Sequence, residues 1–253
     1  MPKAIIIGAS YGLGHQLAIE LDRRGYETGL AARSQDKLEH TARQLTRHCV
    51  TQQMDITRTR ETPAILHKLI ERLGGMQIMI LNAGIAGTSE ELDVSQEQRI
   101  IETNVLGFTT LLGEAYHYFC RQGGGHLVGI SSIAALLPNP NSSTYNASKS
   151  FVSNYMEGVR LKAEKHNRAI HVTHVLPGYV YTPMTAHKRR MFWVAEPEKA
   201  CRQMADGIQK KRKRIYVTRR WVLVAWLLQL LPQALTGLLV QGSSSGSPSS
   251  TGQ

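Results

Sequence analysis

Cysteines are scarce in this chain of 253 residues, and metal-ligand spacings are missing from its sequence. The three cysteines, Cys49, Cys120 and Cys201, are odd in number and widely separated, which predicts free thiols in a reducing compartment. The ten histidines follow no ligand pattern, so no metal site is expected. The chain also lacks an internal repeat. An apolar run follows Lys3 directly, so no secretory leader is expected.

Short apolar and β-branched runs alternate with segments of helical periodicity through most of the chain. This alternation predicts a parallel sheet with helices on both faces, and the length is sufficient for one buried core. We therefore predict an α/β fold with a single domain over residues 1–218. The expected strands are Lys3–Ile7, Thr28–Ala32, Cys49–Met54, Ile78–Asn82, His126–Ser131, Ile170–Leu176 and Ile215–Val217.

Three glycines, Gly8, Gly12 and Gly14, follow the first strand and precede a segment of helical periodicity. A glycine turn between a strand and a helix is typical of phosphate binding by free N–H groups at the helix N-terminus. We expect Gly8 to make the tight turn, Gly12 to let the backbone approach a pyrophosphate, and Gly14 to let helix and strand pack closely. The spacing is G-x-x-x-G-x-G rather than G-x-G-x-x-G.

Tyr145 and Lys149 stand four residues apart, and Ser132 lies thirteen residues upstream of the tyrosine. On a helix, residues four apart share one face. A phenol is a poor acid catalyst until its pKa falls toward neutrality, and a neighbouring ammonium favours the phenolate. We expect Lys149 to lower the pKa of Tyr145, and Ser132 to hold a carbonyl oxygen that Tyr145 protonates. The alternative is a half-exposed surface pair with no role in catalysis.

Over residues 3–218 the chain resembles the short-chain dehydrogenase/reductase family. The motifs that carry the resemblance are, in order, Gly8-x-x-x-Gly12-x-Gly14, Asn82-Ala83-Gly84, Asn104, Ser132, Tyr145-x-x-x-Lys149 and Pro177-Gly178. Two departures are Ile7, where the family commonly has threonine, and the single Asn82, where many members have two asparagines. The resemblance implies a Rossmann-type doubly wound parallel sheet and a nicotinamide-dependent oxidoreductase.

The family also implies a role for each matching residue. Lys149 would bind the nicotinamide ribose as well as act on Tyr145. Asn104 would anchor a water that links Lys149 to solvent, although a polar residue inside a long helical stretch can also be incidental. The expected catalytic residues are Asn104, Ser132, Tyr145 and Lys149. Besides Tyr145, Lys149 and the three glycines, the expected cofactor contacts are Ser10, Tyr11, Leu13, Arg33, Ser34, Asp55, Ile56, Asn82, Ala83, Gly84, Pro177, Gly178, Val180 and Thr182.

The end of the second strand indicates which cofactor is used. An acidic residue there would bind the ribose hydroxyls of NAD, but Ala32 takes that position and Arg33 and Ser34 follow. A guanidinium matches a phosphate in geometry and charge. The resemblance therefore implies NADP(H), with Arg33 and Ser34 on the 2′-phosphate; the alternative is a solvated arginine.

Two stretches, Ala134–Asn141 and Tyr179–Glu196, are expected to wall the substrate site. The second contains Met184, Met191, Phe192 and Trp193, which suit an apolar, lipid-like ketone or alcohol, or else pack on the body as a lid. A 3-oxoacyl thioester is the alternative substrate, with the basic residues His187–Arg190 on a carrier phosphate.

The segment from 219 to 240 combines basic and apolar residues. Trp221–Val240 carries no charge over twenty residues, and much of the net charge of +11 lies nearby, over residues 188–220, which include Lys210–Arg214 and the arginines at 219–220. Such a segment could span a membrane, lie in its interface as two helices broken at Pro232, or cover the substrate cleft or a subunit interface. We interpret it as an interfacial membrane contact at a cytoplasmic face, followed by a flexible Ser/Gly-rich tail over residues 241–253.

The remaining expectations concern partners and function class. No motif for reading nucleic acid accompanies Lys210–Arg214, so a small-molecule substrate is expected and nucleic acid is not. The family resemblance implies a homodimer or homotetramer. An NADP-binding scaffold without turnover is the alternative to an enzyme, but the expected catalytic residues are all present.

Overall fold

The computed structural model describes residues 1–88, 91–182 and 191–230, except for the side chains of 228–230. Its seven strands form one parallel sheet in the order β3-β2-β1-β4-β5-β6-β7. The strands are β1 Lys3–Ile7, β2 Glu27–Ala32, β3 Cys49–Gln53, β4 Ile78–Leu81, β5 Gly125–Ile130, β6 Ile170–Pro177 and β7 Arg214–Val217. The predicted doubly wound parallel sheet is confirmed, and strand ends differ from the prediction by one residue at most.

Helices cover both faces of this sheet. They are α1 Gly12–Arg23, α2 Gln35–Ala42, α3 Thr62–Leu73, α4 Val94–Ile101, α5 Phe108–Gln122, α6 Ser143–Lys165, α7 Pro197–Gln209 and α8 Trp221–Leu230. A π-helical segment, Glu102–Gly107, joins α4 to α5, and two short 3-10 turns, Ile133–Leu136 and Pro140–Ser142, lie between β5 and α6.

The alternation of side chains along each strand supplies both faces of the core. Ile6 belongs to the apolar cluster under α1 and α7, whereas Ile5 and Ile7 belong to the cluster under α3 and α5. Because both faces of a parallel strand are buried, its residues are almost all apolar. The chain order reverses on either side of β1, between β2 and β4. Ligands of such sheets bind beyond the carboxyl ends of the strands at that reversal.

The C-terminal apolar segment begins as helix α8, which presents two different faces. Trp221 and Ala225 are buried on one face, while Leu223, Trp226 and Leu227 are 70%, 65% and 56% exposed on the other. Within the ranges described, no helix is both long and apolar enough to cross a bilayer. The predicted break at Pro232, the rest of the segment to 240 and the tail over 241–253 lie outside the described residues.

Candidate active site

The glycine turn after β1 is tied to the end of β4. Gly8 adopts a φ of +88°, and a Cβ there would lie 2.6 Å from the backbone nitrogen of Ala83. Its own N–H donates to the carbonyl of Ala31 at 2.7 Å. A side chain at this position would clash with the backbone of Ala83, and its residue would be strained by the positive φ. Only glycine therefore fits. The tight turn predicted at Gly8 is confirmed.

Gly14 brings the first turn of α1 against the same strand ends. A Cβ on Gly14 would clash with the carbonyl oxygen of Gly8 and would lie 2.6 Å from Asn82 Nδ2. Asn82 Nδ2 in turn donates to that Gly8 oxygen at 2.8 Å. The close packing of helix and strand predicted for Gly14 is therefore confirmed. Gly12, with a φ of +60°, opens α1 beside Thr182.

A cavity of about 1140 Å³ lies along the carboxyl ends of the strands. It runs from the glycine turn and the end of β2 to the start of α6 and α8. Gly14 and Asn104 are not among the residues that line it. All the other residues predicted for the site line it: Gly8, Ser10, Tyr11, Gly12, Leu13, Arg33, Ser34, Asp55, Ile56, Asn82, Ala83, Gly84, Ser132, Tyr145, Lys149, Pro177, Gly178, Val180 and Thr182.

Ser132, Tyr145 and Lys149 converge in the middle of this cavity. Tyr145 and Lys149 occupy successive turns of α6, and Ser132 follows the end of β5. The Ser132 hydroxyl lies near enough to the Tyr145 phenol to lower the pKa of that phenol. Lys149 Nζ lies 5.8 Å from the centre of the Tyr145 ring and donates to the carbonyl of Ile130 at 3.2 Å. The predicted convergence is thus present in the folded chain, and the buried Lys149 does not fit the alternative of a half-exposed surface pair.

The predicted influence of Lys149 on the tyrosine needs correction. Burial raises the pKa of Tyr145, the nearby Ser132 hydroxyl lowers it, and nearby Tyr179 raises it. Burial also lowers the pKa of Lys149, from 10.5 to about 8, because a buried ammonium has lost its water. In this geometry the serine hydroxyl, rather than the ammonium, favours the phenolate. At a pKa of about 8, the Lys149 ammonium holds its proton less tightly than an ordinary lysine.

Ser131, which the sequence analysis did not single out, fixes α6 against β5. Its buried hydroxyl donates to the carbonyl oxygen of Lys149 at 2.7 Å and lies 2.8 Å from Ser153 Oγ. The wall formed by residues 133–142 is tied to the same helix, because Asn146 Nδ2 donates to the Leu137 carbonyl at 2.7 Å. These bonds set the position of Tyr145 relative to Ser132. In the sequence, only the adjacency of Ser131 to Ser132 could have pointed to this role of Ser131.

Asn104 holds two elements together from within the π-helical segment. Its Oδ1 accepts from the backbone N–H of Ile85 at 2.9 Å, and its Nδ2 donates to the Ile85 carbonyl at 2.9 Å. Nδ2 also donates to Ser148 Oγ at 3.0 Å. A Cβ on Gly84 would lie 3.2 Å from both Asn104 Oδ1 and Lys149 Nζ. The side chain is therefore structural as well as close to the lysine, and a π-helical turn is a common marker of functional sites.

Two groups of cavity residues escaped the sequence analysis. Lys37, on the first turn of α2, lines the end of the cavity that holds Arg33 and Ser34, and its Nζ lies 5.7 Å from the Tyr11 ring centre. Lys37 stands four residues after Arg33, and this second cation is the feature of the sequence that could have identified it. Trp221 and Val224 of α8 line the opposite end, beside Phe192.

An aromatic cluster closes that opposite end. The ring of Trp221 lies 5.1 Å from that of Phe192, 5.7 Å from Trp193 and 6.0 Å from Tyr179, centre to centre. Three alternatives were open for the apolar C-terminal segment. Its first turns cover the cleft, because Trp221 and Val224 belong to the cavity wall. Phe192 belongs to the cavity wall, as predicted, while Met184 and His187–Arg190 lie outside the described residues.

Comparison with known proteins agrees with the fold and the site. The family model described as short chain dehydrogenase matches residues 2–192. An uncharacterized oxidoreductase of Myxococcus xanthus is 29% identical over 238 residues, covering 92% of this chain and 93% of its own. The 11-beta-hydroxysteroid dehydrogenase 1A of Arabidopsis thaliana is 30% identical over 253 aligned positions, covering 90% and 71%.

A solved structure shows the same architecture. A short-chain type dehydrogenase/reductase from Mycobacterium marinum superposes with a TM-score of 0.77 at 25% identity, covering 85% of this chain and 93% of its own. The family match spans most of the chain, and strands β1 to β6 and the motifs named above fall inside it. The chain belongs to the short-chain dehydrogenase family of oxidoreductases.

Proposed function

We propose that this protein is an NADP(H)-dependent oxidoreductase that interconverts an apolar ketone and its secondary alcohol, with Tyr145 as the acid/base. The observation that carries the proposal is the convergence of Ser132, Tyr145 and Lys149 midway along one cavity. Basic side chains line one end of that cavity and apolar side chains the other. This arrangement suits a charged cofactor at one end and an uncharged substrate at the other.

The residues at the basic end fit NADP(H). The N-cap of α1, Tyr11, makes no side-chain capping bond among the described residues, which leaves N–H groups of the first turn for a pyrophosphate. Arg33, Ser34 and Lys37 line the cavity where a 2′-phosphate would lie. Asp55 lines the cavity too, but one of its carboxylate oxygens accepts from the backbone and hydroxyl of Thr57. Two cations and a hydroxyl favour a phosphate over bare ribose hydroxyls.

The nicotinamide of the bound cofactor would supply or accept the hydride. In the reductive direction Ser132 and Tyr145 hold the substrate oxygen, and Tyr145 donates its proton as negative charge develops there. Because its pKa is raised, the Tyr145 phenol is protonated at neutral pH and carries the proton to be donated, although the raised pKa also makes it a weaker acid. Lys149, with a pKa of about 8, can return a proton to the phenolate.

Apolar side chains define the substrate end. Leu136, Leu137, Phe192, Trp221 and Val224 line it, and polar residues such as Asn139 and Asn141 also belong to the wall. The Arabidopsis relative is named for a hydroxysteroid, which is an apolar secondary alcohol. The alternative of a 3-oxoacyl thioester rests on His187–Arg190, which lie outside the described residues.

We further propose that α8 contacts an anionic membrane surface. Leu223, Trp226 and Leu227 form an exposed apolar face on this helix, and the exposed Arg219 and Arg220 precede it. A helix of this kind lies with its apolar face at the boundary between headgroups and acyl chains, and neighbouring cations attract anionic lipid. The opposite face of α8 lines the cavity, so a substrate could enter from the lipid side. The homodimer or homotetramer implied by the family stays a prediction.

The direct test is the rate of NADPH oxidation by purified protein against a panel of ketones. The panel contains cyclic, steroidal, long-chain and 3-oxoacyl substrates, and each is repeated with NADH. Turnover of an apolar ketone with NADPH preferred is the expected result. Tight NADPH binding without turnover of any ketone would instead support the NADP-binding scaffold. A preference for 3-oxoacyl thioesters alone would support the other alternative.

A further inference from the structure

A buried serine on α6 joins the turn that carries Tyr145 to the π-helical segment. Ser148 and Asn104 are both buried, with exposed fractions of 3% and 1%. Asn104 Nδ2 donates to Ser148 Oγ at 3.0 Å, and Ser148 Oγ donates its own proton to the backbone carbonyl of Tyr145 at 2.7 Å. A hydroxyl can accept and donate at once, so this one connects the Asn104 amide with the peptide of Tyr145.

The same amide is bound at its other side to the segment that follows β4. Asn104 Oδ1 accepts from the Ile85 N–H and Nδ2 donates to the Ile85 carbonyl, each at 2.9 Å. Ile85 and Tyr145 line the cavity, whereas Asn104 and Ser148 are not among the residues that line it. A continuous set of hydrogen bonds therefore runs between two parts of the cavity wall through two buried side chains.

The Asn104 amide distinguishes Ser148 from an ordinary serine in a helix. A helical serine often bonds a carbonyl three or four residues earlier, and that bond alone connects the helix only with itself. Here both N–H groups of the amide are used, one on Ile85 and one on Ser148. Without the serine hydroxyl, a buried donor of Asn104 would lose its acceptor, which is unfavourable. The two segments would then shift relative to each other.

The turn of α6 that carries the reacting groups is held from two directions. The carbonyl of Tyr145 accepts from Ser148, which is bound to the π-helical segment, and the carbonyl of Lys149 accepts from Ser131 at the end of β5. Each bond fixes the backbone of one residue whose side chain lies in the cavity. The loss of one bond leaves this turn attached to one neighbouring element instead of two.

We propose that Ser148 is a positioning residue, which holds Tyr145 in a fixed place relative to the cavity wall at Ile85. The inference rests on the proposed function, because it concerns the proton that Tyr145 transfers. Proton transfer requires hydrogen-bond reach, and a misplacement of about 1 Å can lower the rate by about 100-fold. Ser148 bonds the backbone of Tyr145, so its loss affects the rate of reaction rather than the binding of the cofactor.

The kinetic test uses Ser148→Ala and the ketone that the native protein reduces fastest. Rates are expressed per NADPH-binding site, so that a loss of folded protein does not count as a loss of catalysis. We expect kcat to fall by about 10-fold or more, with the dissociation constant for NADPH within about 2-fold of the native value. Ser148→Thr keeps a hydroxyl that can bond the same carbonyl and should recover kcat to within about 3-fold of native.

Thr173→Val is the matched control. Thr173 is a buried residue of β6 whose hydroxyl donates to the Arg212 carbonyl at 2.6 Å and lies 2.8 Å from His126 Nε2. It thus also links two segments, but it is not among the residues that line the cavity. Both variants lose a buried hydroxyl and should unfold at lower urea concentrations than the native protein. Only Ser148→Ala should lose kcat.

A spectroscopic test does not depend on turnover. The ionisation of each of the nine tyrosines is followed by ¹³C labelling of the phenol carbon, and the Tyr145 signal is the one missing from Tyr145→Phe. Burial raises the pKa of Tyr145. A phenol that shifts and gains water should therefore titrate at lower pH in Ser148→Ala than in the native protein. The Tyr145 titration should stay unchanged in Thr173→Val.

Four results would overturn the inference. They are a native kcat in Ser148→Ala, a native titration of Tyr145 in that variant, an equal loss of kcat in Thr173→Val, and a Ser148→Thr protein that binds NADPH without recovering activity. If the native protein reduces no ketone of the panel, the proposed function itself fails. The titration of Tyr145 then decides by itself whether Ser148 positions the phenol.

Discussion

The two ends of the cavity are built in opposite ways. At the cofactor end, which holds the glycine turn, backbone segments pack directly against each other. A single added carbon at Gly8 or Gly14 would clash with backbone atoms that cannot move away. At the substrate end, aromatic side chains from three separate segments meet around Trp221, and its N–H is left unpaired. The comparison indicates that one end is fixed by glycines in a short motif, whereas the other depends on side chains that can be exchanged.

This difference also explains what could be predicted from the sequence. The glycine turn and the Tyr145–Lys149 pair are local patterns, whose spacing on a turn or a helix determines their geometry. The β-branched runs likewise predicted each strand, because both faces of a parallel strand are buried. Trp221 could not be assigned in this way, since its place depends on Gly178 and Phe192, which are distant in the chain.

Two further features were beyond sequence reasoning for physical reasons. The π-helical turn at Asn104 has the same composition as an ordinary helix, and only its bonds to Ile85 and Ser148 show why it forms. The sign of the change in the pKa of Tyr145 depends on burial, which raises the pKa, against the nearby Ser132 hydroxyl, which lowers it. Spacing alone does not reveal which of these effects is larger.

The largest expected effect lies between the two ends, at Lys149. Lys149→Met should lower kcat by about 10³-fold, as for loss of an acid/base group, and should also stabilise the fold. Burial has lowered the pKa of Lys149 from 10.5 to about 8, which corresponds to a penalty of up to about 3 kcal/mol. Thermal unfolding of both proteins at neutral pH checks the second claim. A lower Tm in the variant would contradict it.

The same substitution has a pH signature. Below pH 8 the lysine is charged in both the folded and unfolded states, and the full penalty is present. Between pH 8 and 10.5 the unfolded chain binds more protons, so the contribution of Lys149 to stability improves as pH rises. The difference in unfolding free energy between Lys149→Met and the native protein should therefore shrink over that window. Denaturant titrations at several pH values measure it.

Gly14→Ala tests the rigidity of the cofactor end. The added carbon would clash with the Gly8 carbonyl and crowd Asn82, so we expect a loss of about 2–3 kcal/mol in unfolding free energy. The matched control is Gly158→Ala on α6, where a Cβ meets nothing within 4 Å. That change should stabilise the protein by about 0.5–1 kcal/mol. Equal effects of the two substitutions on urea unfolding would refute the proposed role of Gly14.

Arg33→Ala tests the charge at the same end. Losing a charge-assisted bond to phosphate should reduce the preference for NADPH over NADH by about 10- to 100-fold. Lys37→Ala should reduce it by a smaller factor, about 3- to 10-fold, since lysine acts as a point charge. Binding of both cofactors by fluorescence titration gives the ratio. An unchanged ratio in Arg33→Ala would mean that the arginine is solvated.

Leu223→Glu addresses the outer face of α8 and carries the smallest expected effect. A carboxylate at this exposed apolar position should weaken sedimentation with anionic vesicles by about 10-fold without changing turnover of a soluble ketone. Leu161→Glu, at an exposed leucine of α6, is the control and should bind vesicles like the native protein. Equal vesicle binding by both variants would show that α8 does not make the membrane contact.

The central claim, that Tyr145 transfers the proton in a ketone–alcohol conversion, is tested most directly by Tyr145→Phe. NADPH affinity and the rate of ketone reduction are measured on the same preparation, with the native protein alongside. We predict a fall in kcat of about 10³-fold or more, with the dissociation constant for NADPH within about 3-fold of the native value. Reduction at the native rate by this variant would contradict the mechanism.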